Sequence, residues 1–485
     1  MEDQHQTAET DIPRADPLSR AKLDILMPRL HYMLLFFGLL LVFITPPLQT
    51  PDENSHLVRS IMVAEGQFFP RYDGERWGQD VPESLVQYVE NHTSLMTDTS
   101  QRYSYGAWFA FSADHTPHEP RVFHSYSAQS SSPLLYLPQA AGIWAGKVLY
   151  AVSPGVFNWS AAQYFARIGN LVAFVLGIGL AIRLVPQFSS SLAFLALTPM
   201  MLSLAASTSY DVTVILVAVG YFAAIVSTIH RAEISWKHWI AIFGLSFLLG
   251  HCKMVYAPMM LALFVLFSRL GWRNFLKVAG ISGVSALAGI FVGTVVFGVP
   301  SDASANATIQ EQMDYVGGNL LGIPGLLLRT LGHSVDFYYV SSLGILGWLN
   351  AHFPLPVITA WFGVGLAAIV ADIPKTKSRE MLLFAAYSIA GAVLSVSLLM
   401  LVMYIIWTSQ TVGIGASMVE GVQGRYLLPV FPFLFASAAI LLSTFVPVRE
   451  RVALAIVRHQ LTLGAAMLSL TIFMIIIRYW VPVPA

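Results

Sequence analysis

Asp52 and Glu53 stand side by side in the stretch TPPLQTPDENSHLVRS (residues 45–60), with His56 and Arg59 close behind. On a helix, Asp52 and His56 are four residues apart and Glu53 and His56 three, spacings that gather side chains on one face. A carboxylate so placed can deprotonate a sugar hydroxyl. A carboxylate beside an imidazole is also part of a ligand set for a divalent ion such as Mg or Mn. The same residues make a good helix start. Thr50 can cap, Pro51 fits the first helical position, and Glu53, three residues after Thr50, completes a capping box. Spacing leaves both readings open.

Other chemically capable residues recur at the edges of apolar runs. Asp211, in SLAASTSYD, opens one such run, and a helix cap is its plain reading. Lys253, in GHCKMVYAP, is either a snorkelling lysine or a phosphate contact. Gln423, Arg425 and Tyr426, in EGVQGRYLLP, are an interfacial anchor or a diphosphate clamp built on the planar guanidinium. SSLGILGWLNAHFP (341–354) reads as an interfacial or re-entrant segment, with Tyr338 and Trp348 in an aromatic belt or against a sugar. The region 50–132 holds 11 Asp and Glu against five Arg, an excess that suits a cationic neighbour. His115, His118 and His124 lie in it without regular ligand spacing, and sequons occur at Asn91, Asn158 and Asn306.

What must position these residues is a membrane bundle. Of 485 residues, 56% are hydrophobic and 11% charged, where a soluble chain carries about 25% charged. Twelve apolar segments follow one another: roughly 31–49, 133–152, 161–182, 190–207, 211–229, 238–251, 254–268, 278–298, 355–371, 381–407, 426–446 and 461–480. Arg14, Arg20, Lys22 and Arg29 place the N-terminus in the cytoplasm, and the four later basic connections (231–237, 269–277, 375–379 and 449–458) lie on the same side. Parity then requires 133–152, interrupted by Pro133, Pro138, Gly142 and Gly146, to dip in and return or to lie in the interface. The expectation is an all-α polytopic protein with about 11 full crossings plus this partial one. It divides into a disordered tail (1–30), a membrane module (31–298) with an outer loop at 50–132, a second outer loop (299–354), and C-terminal helices (355–485).

This organisation excludes several classes. The cytoplasmic connections are too short for a nucleotide-binding domain, and no phosphate-binding glycine loop or dinucleotide fingerprint occurs, so no nucleotide cofactor is expected. Zero net charge argues against a nucleic-acid partner. A single cysteine, Cys252, rules out an internal disulfide framework. The first apolar run ends in Pro46-Pro47 without a small-residue cleavage site and reads as an anchor.

The ordered set PPLQTPDENSH, SSPLLYLPQ, FARIGNL, LTPMMLSLAASTSYD, HCKMVYAP, SSLGILGWLN and GVQGRYLLPVFP resembles a bacterial membrane family of undetermined function, DUF2142-like, placed near the GT-C superfamily of glycosyltransferases. The resemblance covers about residues 33–440. It implies a GT-C-like helical bundle in a bacterial inner membrane. The bundle would transfer a sugar from a polyprenyl-phosphate donor to a cell-surface glycan or lipid-carrier acceptor on the outer face. By resemblance, Asp52 is the base or metal-organising acid, with Glu53 and His56 beside it. Asp211 is the second acid and Arg425 contacts the donor phosphate; Lys253, Gln423 and Arg59 are expected to join Arg425 there on their own chemistry. The resemblance also implies a further His or Glu ligand in a later outer loop, where Glu311, Asp314, His333 and Asp336 stay open. A glycolipid transporter or flippase and a non-catalytic assembly partner are the other readings.

Overall fold

The computed structural model describes residues 16–104, 106, 120–152, 157–229, 231, 233–299, 303–375 and 378–482. Of the sequence expectations, His115 and His118 lie outside the described residues.

Helices dominate. Among the described residues, the α-helices of seven residues or more are α1 (Pro17–Ile44), α2 (Glu53–Ala64), α3 (Glu83–Asn91), α4 (Leu137–Ala151), α5 (Trp159–Leu184), α6 (Ser189–Ala196), α7 (Pro199–Ala205) and α8 (Asp211–Ile229). There follow α9 (Trp236–Cys252), α10 (Phe267–Phe291), α11 (Ala303–Gly318), α12 (Ile323–Gly344), α13 (Leu355–Ala371), α14 (Arg379–Met403), α15 (Phe431–Leu442) and α16 (Glu450–Tyr479). Among the described residues, strands are confined to β1 (Arg71–Tyr72), β2 (Trp77–Pro82) and β3 (Arg121–His124), an antiparallel sheet in that order, and the small hairpin β4 (Ile345–Leu346) with β5 (Ala351–His352).

α1 opens at Pro17, so residues 17–30 are helical where a disordered tail is expected. The cause is local: the Asp16 carboxylate accepts from the amides of Leu18 and Ser19, and proline takes the first turn.

Among the described residues, seven helices are long and apolar enough to cross a membrane, or eight if the pair 186–196 and 199–205, bent by 80°, forms one broken span. The expectation of about eleven exceeds this for two reasons. α4, α9 and α13 have 15 to 17 residues, about 22–26 Å of rise against a hydrocarbon core of about 30 Å. Residues 254–296 count once among the seven, although their 43 residues hold two helical stretches that part at Gly271 (φ 67°) and run from Lys253, beside Asp211, to Arg269, at the Ile229 carbonyl, and back to Gly293, against His251. The outer faces still suit lipid: Phe36, Leu176, Leu180, Val284, Leu287 and Val393 are exposed, which water would oppose.

Two buried ion pairs mark the two ends of the bundle. At one end Lys22 reaches Asp372 at 2.6 Å, and Asp372 also accepts from the amides of Ser190 and Ser191. α1 has 28 residues, about 42 Å of rise, so the residues that follow it lie at the opposite end. There Glu53 meets Arg167.

Candidate functional site

The chain that leaves α1 is wired to α5 before it reaches Asp52. Arg167 uses all five of its N–H donors. Two go to Glu53 (2.8 and 2.7 Å), and three go to the carbonyls of Val42, Thr45 and Pro46 (2.8–3.0 Å). Both side chains are fully buried. Glu53 also accepts from the amide of Thr50 at 3.3 Å and from that of Thr208 at 3.1 Å. Of the expected capping box, therefore, only the glutamate half is seen, and the helix begins at Glu53, leaving Pro51 outside it.

Asp52 sits at the left-handed conformation φ 60°, ψ 9°, and its side chain makes no capping bond. Such a backbone costs on the order of 1–3 kcal/mol for a residue with a Cβ, aspartate being among the most tolerant. The turn aims the carboxylate away from its own helix and at Arg425, 2.5 Å distant.

The second acid arrives by a different scaffold. Gln139 on α4 and Asn170 on α5 donate to the carbonyls of Thr208 and Ser209 and of Ser207 and Ser209 respectively, fixing the turn that opens α8. α4 and α5 come close enough for this because Gly142 and Gly169 face each other. A Cβ on Gly142 would lie 2.0 Å from the Phe165 carbonyl oxygen. Asp211 follows, 3.0 Å from Lys253 and 3.7 Å from Arg425. Lys253 itself occupies the extended break between α9 and the 3-10 stretch Met254–Leu266.

A line of alternating charge results: Lys253, Asp211, Arg425, Asp52. Its two carboxylates touch one guanidinium, although 159 residues separate Asp52 from Asp211 and 214 separate Asp211 from Arg425. Exposure is graded along it. Side-chain accessibility is 2% at Arg425, 10% at Asp211, 21% at Lys253 and 47% at Asp52. Asp52 is thus the accessible end. Aromatic faces enclose the cations. Lys253 lies 4.9 Å from the ring centres of both Tyr210 and Tyr426, and Arg425 lies 5.0 Å from that of Tyr426. Burial opposes a charged Lys253, but Asp211 and the surrounding phenols overcome it and hold its pKa well above the usual lysine range. The Arg425 Nε and Gln423 Oε1 are buried without a hydrogen-bond partner among the described residues.

His56 lies beside this line. Its Nδ1 is 2.8 Å from the Tyr136 hydroxyl, and its ring meets Tyr210 edge-on at 4.9 Å. Burial pushes its pKa down to about 4 against the opposing pull of Asp52 and Asp211, so the ring is neutral near pH 7.

Of the residues singled out in the sequence, the structure brings together Asp52, His56, Asp211, Lys253 and Arg425, with Gln423 two residues from Arg425. Glu53 faces the other way, into the Arg167 pair. Arg59 is buried among the carbonyls of Ser131, Phe68 and Gln67 and the side chain of Gln79, where it ties down the chain around the small sheet. Glu311, Asp314, His333 and Asp336 are exposed on α11 and α12. Trp348, in the β4–β5 turn, donates to the Leu48 carbonyl at 2.9 Å and so braces the approach to Asp52.

The donor set for a divalent ion is not gathered here. Among the described residues no three His, Cys, Asp or Glu side chains cluster as ligands. The nearest carboxylates are already neutralised by Arg425 and Lys253, and His56 turns Nδ1 to Tyr136.

Sequence reasoning assigned no role to Arg167, Tyr136 or Tyr210. Arg167 carried a readable signal, because an arginine inside an apolar run is costly unless paired.

The sequence profile of a family described as predicted membrane protein (DUF2142) matches residues 35–434, and the chain belongs to that family. With its apolar helices this makes it an integral membrane protein. No curated protein and no solved structure matches it.

Proposed function

We propose that this family member is a membrane glycosyltransferase of the GT-C type. It would take a sugar from a polyprenyl-phosphate donor and pass it to a glycan or lipid-carrier hydroxyl at the membrane surface. One observation carries the reading: Asp52 is the accessible carboxylate of an otherwise buried charge line, held 2.5 Å from a cation that a phosphate would also seek. In the resting arrangement Asp52 is committed to Arg425. A donor phosphate at Arg425 and Lys253 competes for that guanidinium, and the orphaned Arg425 Nε and Gln423 Oε1 supply an unused donor and acceptor beside it.

Asp52, released, accepts the proton of the acceptor hydroxyl. The acceptor oxygen bonds to the sugar anomeric carbon, the bond from that carbon to the phosphate oxygen breaks, and the electron pair leaves on the phosphate. Arg425 and Lys253 stabilise that developing charge in a site where neighbouring rings exclude water. Asp211 holds the two cations in place. The reading carries no step through Mg or Mn.

The test is sugar transfer from a polyprenyl-phosphate-linked donor by the purified protein in detergent. Transfer by the native protein and its loss in Asp52→Asn are expected. Full transfer by Asp52→Asn would remove Asp52 from the mechanism. Tolerance of replacement at Asp52, Asp211 and Arg425 alike would favour a non-catalytic assembly partner.

One observation favours a transporter instead. The 80° break between α6 and α7 makes a discontinuous helix next to the Asp211 turn, a device of substrate-moving proteins. Passage of chemically unchanged lipid-linked sugar across proteoliposomes would bring that reading forward.

A further inference from the structure

At the end of the bundle opposite the Asp52–Arg425 line, α13 and α16 part to leave a groove of about 560 Å³. Its walls are small and apolar (Ala360, Gly363, Ala367, Ala455 and Leu463), and Arg451 and His459 line it from α16. From Arg451 to Leu463 is 12 residues, about 18 Å of helix rise. That is close to one leaflet, half of a hydrocarbon core of about 30 Å. The two helices are antiparallel: Tyr479, at the end of α16, reaches Asn350, just before α13. The shallow end therefore lies beside the Lys22–Asp372 pair, where Gln460 of α16 is hydrogen-bonded to Ser190.

Charge is arranged unevenly at that shallow end. Arg449, Arg451, Arg458 and His459 crowd the first turns of α16. The acids at the start of α16 and the end of α13 are already taken. Glu450 is paired with Lys375, and Asp372 with Lys22. Arg449 caps α16 without a side-chain hydrogen bond, and the acid of its first turn, Glu450, is shared with Lys375. An apolar groove on a membrane bundle must be filled by hydrocarbon, because water there would forfeit its hydrogen bonds. A ligand with acyl chains one leaflet long and an anionic head at the level of Arg451 satisfies both halves of the groove.

We propose that this groove is a binding site for an anionic phospholipid, its phosphate against Arg451 and its acyl chain lying along Ala360, Gly363 and Ala367, with His459 deeper in the groove. The site is separate from the charge line at the other end and does not depend on what that line does.

The full-length protein is purified in detergent doped with phosphatidylglycerol or with phosphatidylcholine of the same acyl chains, and bound lipids are counted by native mass spectrometry. Phosphatidylglycerol should be retained about fivefold more per interacting arginine. The double variant Arg451→Ala/His459→Ala should bring retention down to the phosphatidylcholine level, and Arg451→Lys should preserve most of it. Ala367→Leu, which fills the groove and leaves Arg451, should reduce retention of phosphatidylglycerol. Excess glycerol phosphate, which has the head and no chains, should fail to displace it. Equal retention of the two lipids, unchanged retention in the double variant and in Ala367→Leu, or displacement by glycerol phosphate would each overturn the proposal.

Discussion

Asp52 and Glu53 are adjacent in the chain and serve opposite ends of the same turn. Asp52 reaches Arg425 at 2.5 Å with half its side chain exposed, while Glu53 is sealed against Arg167. The two carboxylates should therefore respond differently to neutralisation. Glu53→Gln leaves Arg167 charged and buried, a change that typically costs about 3–5 kcal/mol. Thermal unfolding in detergent should show a large loss for Glu53→Gln and little change for Asp52→Asn. Equal behaviour of the two variants would mean that the Glu53–Arg167 pair does not organise the turn.

His56 gives the site a pH dependence with a definite sign. In the unfolded chain its pKa is near 6.5, and in the folded protein it is pushed down to about 4 by burial. The folded state binds this proton more weakly, so stability is full above pH 6.5 and is lost as the pH falls towards 4. The loss from this residue alone reaches about 3 kcal/mol. Between pH 7 and pH 4.5, the native protein should lose more unfolding temperature than His56→Gln does. Parallel pH profiles for the two proteins would show that the ring is not held neutral by its surroundings.

How much of this was legible beforehand depends on whether a residue's role was local. Asp52, Asp211, Lys253 and Arg425 all stand at the edges of apolar runs, and topology places such edges at one end of the bundle. That they would meet could be reasoned from the sequence. Which of two neighbouring acids would take part could not. Spacing puts Asp52 and Glu53 on equal terms with His56, and the choice was made by Asp52 adopting φ 60° and by Arg167 claiming Glu53 from 114 residues away. The partners of Arg59 were out of reach for the same reason, since the carbonyls of Ser131, Phe68 and Gln67 leave no pattern in sequence. The crossing count is harder to read, because hydropathy marks apolar segments and not their path. The 254–296 run, read as two segments, does hold two helical stretches that part at Gly271.

The far end of the bundle rests on Asp372, whose oxygens accept from Lys22 and from the amides of Ser190 and Ser191. One carboxylate therefore ties the start of α1 to the start of α6 and the end of α13. Asp372→Asn strands a buried lysine and should destabilise the fold by about 3–5 kcal/mol. The double replacement Lys22→Met/Asp372→Leu, which removes both charges, should recover much of that loss. A thermal-shift comparison of the two variants measures it. A double variant as unstable as the single one would assign the effect to lost shape and not to the stranded charge.

Gly424 is where backbone packing and the charge line meet. It opens the 3-10 turn that carries Arg425, and its amide donates to the Ser341 hydroxyl at 2.9 Å. A Cβ added there would lie 2.2 Å from the Ser342 amide nitrogen and 2.5 Å from the Tyr338 carbonyl oxygen. Both neighbours are backbone atoms of α12 and cannot rotate away. Gly424→Ala must therefore push the turn off α12, at a cost of about 1–3 kcal/mol for an overpacked contact. Arg425 moves with the turn, and its contacts with Asp52 and Asp211 lengthen. The expected result is a modest fall in unfolding temperature together with a loss of sugar transfer that exceeds it in effect. Gly421→Ala, three residues earlier, controls for this. Its Cβ would meet the Trp407 and Met403 side chains, which can shift, although φ 82° adds backbone strain. If Gly424→Ala lowers stability as expected yet leaves transfer at the native level, the position of Arg425 does not limit the reaction, and its place beside Asp52 is structural.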